Sequence, residues 1–99
     1  MRRAGNIDRN HTAIVQALHD IGAGVQSLAN VGNGCPDLLV GYHDRTMVLE
    51  VKNEGDSPSH RALSAAQANW HATWPGQVAV VYTPEEAKKV VIAHCCEVR

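Results

Sequence analysis

The sequence predicts an α/β fold, a mixed four-stranded sheet flanked by helices, and three observations carry the prediction. Ile14, Val15, Leu18 and Ile21 recur at helical spacing near the start of the chain. Two apolar runs, 37–42 and 46–52, flank a short polar turn and read as a hairpin. A capped helix then separates the second run from another apolar run, 77–82, and a strand–helix–strand unit sets its two strands parallel in one sheet. Residues 1–99 are read as a single domain, since 99 residues suffice for one core and no more.

Each element has its own signals. Residues 1–7 read as a loose basic arm. A first helix is expected over 9–21, with Asp8 as N-cap and Gly22 and Gly24 as its stop. Residues 25–29 are read as a short strand. Gly32-Asn33-Gly34 marks a turn before Pro36, and its glycines permit the tight chain path that delivers Asp37. His43, Asp44 and Arg45 turn the hairpin. Residues 53–63 form a polar loop. Ser64-Ala65-Ala66-Gln67 is a capping box with Leu63 before it, opening a helix over 65–73 that Pro75-Gly76 stops. The run 77–82 is nearly all apolar, the type expected of a strand buried on both faces. Thr83-Pro84-Glu85-Glu86 opens a last helix over 84–93, with Pro84 at the first helical position.

Composition removes several function classes. The chain has no apolar run near the length of a bilayer span and no apolar signal core, so a cytoplasmic protein without a membrane partner is expected. Three cysteines, Cys35, Cys95 and Cys96, give no disulfide framework and suit a reducing compartment. The adjacent Cys95 and Cys96 lack zinc-site spacing. Gly32-Asn33-Gly34 lacks the ending of a nucleotide-binding loop, so no nucleotide cofactor is expected. The net charge of −1 hides an uneven distribution: Arg2, Arg3 and Arg9 crowd the front, while Glu85, Glu86 and Glu97 lie late.

Charges inside the hairpin point to chemistry. Alternation along 46–52 puts Met47, Leu49 and Val51 on one face, which reads as core, and Val48, Glu50 and Lys52 on the other. Pairing Asp37 with Glu50, with Tyr42–Arg45 as a four-residue loop, brings two carboxylates to one face. Two carboxylates that close repel unless a cation lies between them. A hard divalent cation such as Mg²⁺ suits one or two carboxylates completed by water and phosphate oxygens. Lys52 stands beside that position, where it can orient or help deprotonate a water. This is equipment for hydrolysing a phosphodiester.

Pro36-Asp37, then Glu50-Val51-Lys52 at the end of a strand, resembles the motif of the PD-(D/E)XK nuclease superfamily. Gly34-Cys35-Pro36-Asp37-Leu38-Leu39-Val40-Gly41, Leu49-Glu50-Val51-Lys52 and Ser64-Ala65-Ala66-Gln67 are similar to its VRR-NUC branch, the virus-type replication-repair nucleases of phages and DNA repair proteins. The resemblance covers roughly residues 8–92. It implies a restriction-endonuclease-like αβββαβ core, here with an extra C-terminal helix. It implies Asp37 and Glu50 as metal-binding acids, the Val51 carbonyl as a further ligand of Mg²⁺ or Mn²⁺, Lys52 as the catalytic lysine and Gln67 as a helix residue near the site. It also implies an endonuclease that acts as a homodimer on duplex or branched, Holliday-junction-like DNA. Many relatives carry a Glu on the first helix; this chain has Asp8, Asn10 and His11 there, and Asn10 is the substitute considered.

Weaker candidates for DNA contact are Arg9, Asn10, His11 and Arg61. Gln67 has an ordinary alternative as the third residue of its capping box. The other histidines, His71 among them, show no ligand pattern. Trp70 and Trp74 are expected in the core or at a dimer contact more than as a base-stacking platform. Two further functions compete: a catalytically silent or partner-dependent nucleic-acid-binding module, and an interaction protein with no nucleic-acid role. The first is expected to have lost one of Asp37, Glu50 and Lys52, and all three are present; the second leaves the hairpin charges unexplained.

Overall fold

A computed structural model describes residues 4–53, 55 and 62–95, with side chains from Asn10 onward. The element order is α1 (Ala4–Asp20), β1 (Gly24–Ser27), β2 (Leu38–Tyr42), β3 (Arg45–Val51), α2 (Ala65–Thr73), β4 (Val78–Val81) and α3 (Pro84–Cys95). The four strands form one sheet in the order β1-β2-β3-β4. β1 with β2 and β2 with β3 are antiparallel, while β3 and β4 are parallel across the α2 crossover. The mixed four-stranded sheet with helices packed on it is the architecture expected from the sequence.

The core lies on one face of this sheet. Leu38 and Val40 of β2, Met47 and Leu49 of β3 and Val81 of β4 meet Ile14 and Leu18 of α1 and Ala87, Val91 and Cys95 of α3, all buried. Val51 and Ala79 pack against the cluster from its rim. Burial of each Val, Leu, Ile or Met among them contributes about 1.5–3 kcal/mol, so this layer contact is a main source of the fold's stability.

Several local predictions need correction. α1 begins by Ala4, so residues 4–7 are helix and not arm, and Asp8 lies inside the helix and not at its cap. The helix runs through Asp8, whose helix penalty in an interior position is modest. The remaining arm residues, 1–3, lie outside the described residues. α1 ends in a Schellman turn: Gly22 has φ 91°, Ala23 N–H donates to the Leu18 carbonyl and Gly22 N–H to that of His19. β4 is an edge strand, and only Val81 in it is buried, so its apolar run does not mark burial on both faces. The strand covered on both faces is β3, where Met47, Val48, Leu49 and Glu50 are all buried.

The hairpin is tighter than expected. Tyr42 pairs with Arg45, leaving a two-residue turn of His43 and Asp44 with φ 52° and 67°. Positive φ at both positions makes it a type I′ turn, whose twist matches the flanking strands. The register is nevertheless the expected one. Leu38 pairs with Leu49, so the next step along both strands sets Asp37 opposite Glu50.

Asp44 holds a left-handed conformation that glycine adopts freely. Asp44→Gly is expected to stabilise the protein by roughly 0.5–1 kcal/mol, read as a higher urea midpoint at unchanged m-value.

Candidate active site

The second face of the sheet carries the site. Asp37 stands where β2 begins, and the backbone fixes it from both sides. Its N–H donates to the Leu49 carbonyl at 3.0 Å, and its own carbonyl accepts from Leu28 N–H at 2.7 Å. Its Oδ2 accepts from Val51 N–H at 2.8 Å, so the carboxylate continues the ladder where the β2 backbone turns away.

Glu50 faces it from β3 and is only 3 % exposed. Its Oε2 accepts from Gln67 Nε2 at 3.2 Å, while Oε1 is buried with no hydrogen-bond partner. Burial pushes the Glu50 carboxyl up to about 8; the nearby Asp37 carboxylate pushes the same way, and Lys52 pulls against them. Without a cation, the pair resolves its repulsion by keeping a proton on Glu50.

Lys52 follows at the end of β3. Its N–H donates to the Val81 carbonyl at 3.0 Å, which anchors the backbone to β4. Its Nζ donates to Gln67 Oε1 at 3.0 Å. Gln67 therefore joins the acid to the lysine, with its amide nitrogen on Glu50 and its oxygen on Lys52.

The same Gln67 also completes its capping box. Its Oε1 accepts from Ser64 N–H at 2.9 Å, and its N–H donates to Ser64 Oγ at 3.1 Å. The capping contacts and the contacts to Glu50 and Lys52 are thus made by one side chain. The cap locks the Gln67 rotamer, and the locked rotamer presents the amide to the site. α2 has no buried residue, so these polar contacts and the glycine turn before Asp37 hold its first turn. Gly34, with φ 83°, lies against the Ala66 carbonyl and Gln67 N–H, and a Cβ there overlaps both.

Asn10 takes a supporting place. Its Nδ2 donates to the Lys52 carbonyl at 3.0 Å and the Tyr82 carbonyl at 3.3 Å, tying α1 to the ends of β3 and β4. It thus secures the backbone under Lys52 instead of facing outward to a ligand. His11 is half-buried, its Nε2 is buried without a partner, and it joins none of the described hydrogen bonds of the site. The Arg9 side chain and the whole of Arg61 lie outside the described residues, as do Cys96 and most of the 53–63 loop.

Two neighbours of the site were not singled out by the sequence. Cys35 is near enough that, after burial, the charges of Glu50 and Asp37 raise its thiol above the ordinary range. His71 is held below the ordinary histidine range by burial and by the charge of Lys52. The spacing Gln67-x-x-x-His71 on one helix was the signal for the second. Trp70 and Trp74 are not core residues: their rings stack at 4.5 Å, and Trp74 is 43 % exposed.

The donor set fits a hard divalent cation in part. Two facing carboxylates, one with an orphaned buried oxygen, are what such an ion satisfies. No group of three or more His, Cys, Asp or Glu able to hold a metal occurs among the described residues, so water, phosphate or backbone oxygens must complete the shell.

With this geometry in view, a solved structure described as a VRR_NUC domain is similar to the chain, with a TM-score of 0.66 and 24 % identity, over 88 % of this chain and 95 % of that one. The chain has the fold of a VRR_NUC domain. No family model matches the sequence, and no curated protein matches it. The fold resemblance inferred from Pro36-Asp37 and Glu50-Val51-Lys52 is thus met by a structure. Among the described residues, no helix is long and apolar enough to cross a membrane.

Gly34→Ala is expected to push the first turn of α2 away, with a loss of roughly 2 kcal/mol or more in denaturant unfolding. The raised Glu50 carboxyl sets a pH dependence. Between its ordinary value of 4.5 and about 8, the metal-free folded protein keeps a proton that the unfolded chain has lost. Stability is therefore full below that window and falls as pH rises through it. Thermal unfolding in a chelator across this range should show the decline, and Glu50→Gln should flatten it.

Proposed function

We propose that the protein is a divalent-metal-dependent endodeoxyribonuclease. The observation that carries the reading is the joined set of Asp37, Glu50 and Lys52, with Gln67 hydrogen-bonded to both Glu50 and Lys52. The shared fold supports it. Asp37 and Glu50 are the residues that would hold Mg²⁺ or Mn²⁺. The Val51 carbonyl is the proposed third protein ligand: Val51 N–H points at Asp37, and in an extended strand the carbonyl of the same residue points the same way. Bound there, the cation supplies charge neutralisation at the phosphate and a more acidic bound water.

The chain's own residues supply the rest. Gln67 holds the Lys52 ammonium at the edge of the acid pair, positioned to donate to a phosphate oxygen or to orient the attacking water. Asn10 and Val81 pin the Lys52 backbone so that its stem starts from a fixed point. The proposed substrate is duplex or branched DNA, and the proposed working form is a homodimer. Two sites related by a two-fold axis can address two strands, and the exposed Trp74 beside α2 offers apolar surface for such a contact.

The test is a cleavage assay with Mg²⁺ or Mn²⁺ on a four-way junction, a fork, a linear duplex and a single strand. Metal-dependent cutting that falls at least about a hundredfold in Lys52→Ala, with folding and DNA binding retained, supports the reading. Equal cutting by wild type and variant rejects it. In calorimetry, Asp37→Asn should weaken Mn²⁺ binding by on the order of tenfold to a hundredfold.

A further inference from the structure

Gln67 and His71 lie four residues apart on α2 and so share one side of the helix. Gln67 Oε1 already accepts one hydrogen bond from the Lys52 ammonium. An ammonium has three protons, and no other hydrogen bond of the Lys52 head group occurs among those described. Burial, and after it the charge of Lys52, holds the imidazole below the ordinary histidine range, which favours its neutral form. A neutral imidazole has one ring nitrogen free to accept. The His71 Nε2 is buried without a hydrogen-bond partner, an unfavourable state that calls for a use. Trp70 stands edge-on to the imidazole at 6.2 Å between ring centres and flanks it.

We propose that His71 is a positioning residue for Lys52, its Nε2 accepting a second hydrogen bond from the ammonium when the lysine engages substrate. Rotation about the flexible lysine stem closes this bond, which the substrate-free site leaves open. Gln67 and His71 then fix the head group between them and leave its third proton for the phosphate. The catalytic consequence rests on the nuclease reading; the approach of His71 to Lys52 rests on its place one turn beyond Gln67, whose Oε1 lies 3.0 Å from the Lys52 Nζ.

Two measurements separate those layers. In the first, ¹⁵N spectra of the His71 imidazole are followed through a pH titration in wild type and Lys52→Met, both metal-free. The expected result is a His71 midpoint below 6.5 in wild type that moves upward in the variant. An unchanged midpoint places Lys52 too far from His71 to be held by it and overturns the proposal, whatever the protein's activity. In the second, cleavage by His71→Ala is expected to fall about tenfold in kcat with KM nearly unchanged, and His71→Gln, which keeps an acceptor, to regain most of the loss. Unchanged kcat in His71→Ala, or equal losses in both variants tracking a lower Tm, overturns the positioning role. If the wild type cuts none of the substrates, the nuclease reading fails on its own, and the spectra decide the contact.

Discussion

Burying a carboxylate opposite another carboxylate is the constraint around which this small structure is arranged. Glu50 sits on the strand that is covered from both sides, so water cannot screen it, and Asp37 lies across the hairpin from it. A solvated pair would be an ordinary surface feature. A buried pair must hold a proton or a cation, and either state demands that neighbours be held in place. The type I′ turn of His43 and Asp44 fixes the register. A one-residue slip would carry Glu50 to the apolar face, against Ile14 and Val91.

The polar face is then stabilised by a helix that contributes almost no apolar burial of its own. α2 has no buried residue, and its first turn is held by Gly34 behind it and Gln67 in front. The capping box and the site use the same amide. A substitution at Ser64 therefore acts on Glu50 and Lys52 through Gln67, without touching either. Stability and site geometry are coupled at this one residue, which is why neither role assigned to Gln67 in isolation describes it.

Much of this was legible in the sequence, and for identifiable reasons. Alternation placed Met47 and Leu49 in the core and Glu50 with Lys52 on the opposite face, because side-chain direction along a strand is fixed by the backbone. The sequence offered the pairing of Asp37 with Glu50 as the register that would bring the two carboxylates together, and the two-residue turn of His43 and Asp44 sets that register. What was not legible depended on tertiary context. The run 77–82 reads as a doubly buried strand, yet β4 lies at the sheet edge, and local hydrophobicity carries no information about sheet order. Asp8 reads as a cap because its side chain is a common one, but the helix runs through it. Asn10 was considered as the substitute for a first-helix Glu, and nothing in the sequence signals that its Nδ2 bridges the carbonyls of Lys52 and Tyr82, residues remote in sequence.

The histidine on α2 shows how a weak sequence signal becomes a physical one. Five of the six histidines precede or follow α2, and composition cannot tell them from His71. Once Gln67 is tied to Lys52, helical spacing leaves His71 one turn further along the same side, within the field of that lysine. Burial and that charge favour the neutral imidazole, whose Nε2 is buried without a partner. The carboxylates fix where a positive charge is wanted, and the helix fixes the acceptors that can hold the Lys52 ammonium there. Both depend on the first turn of α2 staying where Gly34 allows it to sit.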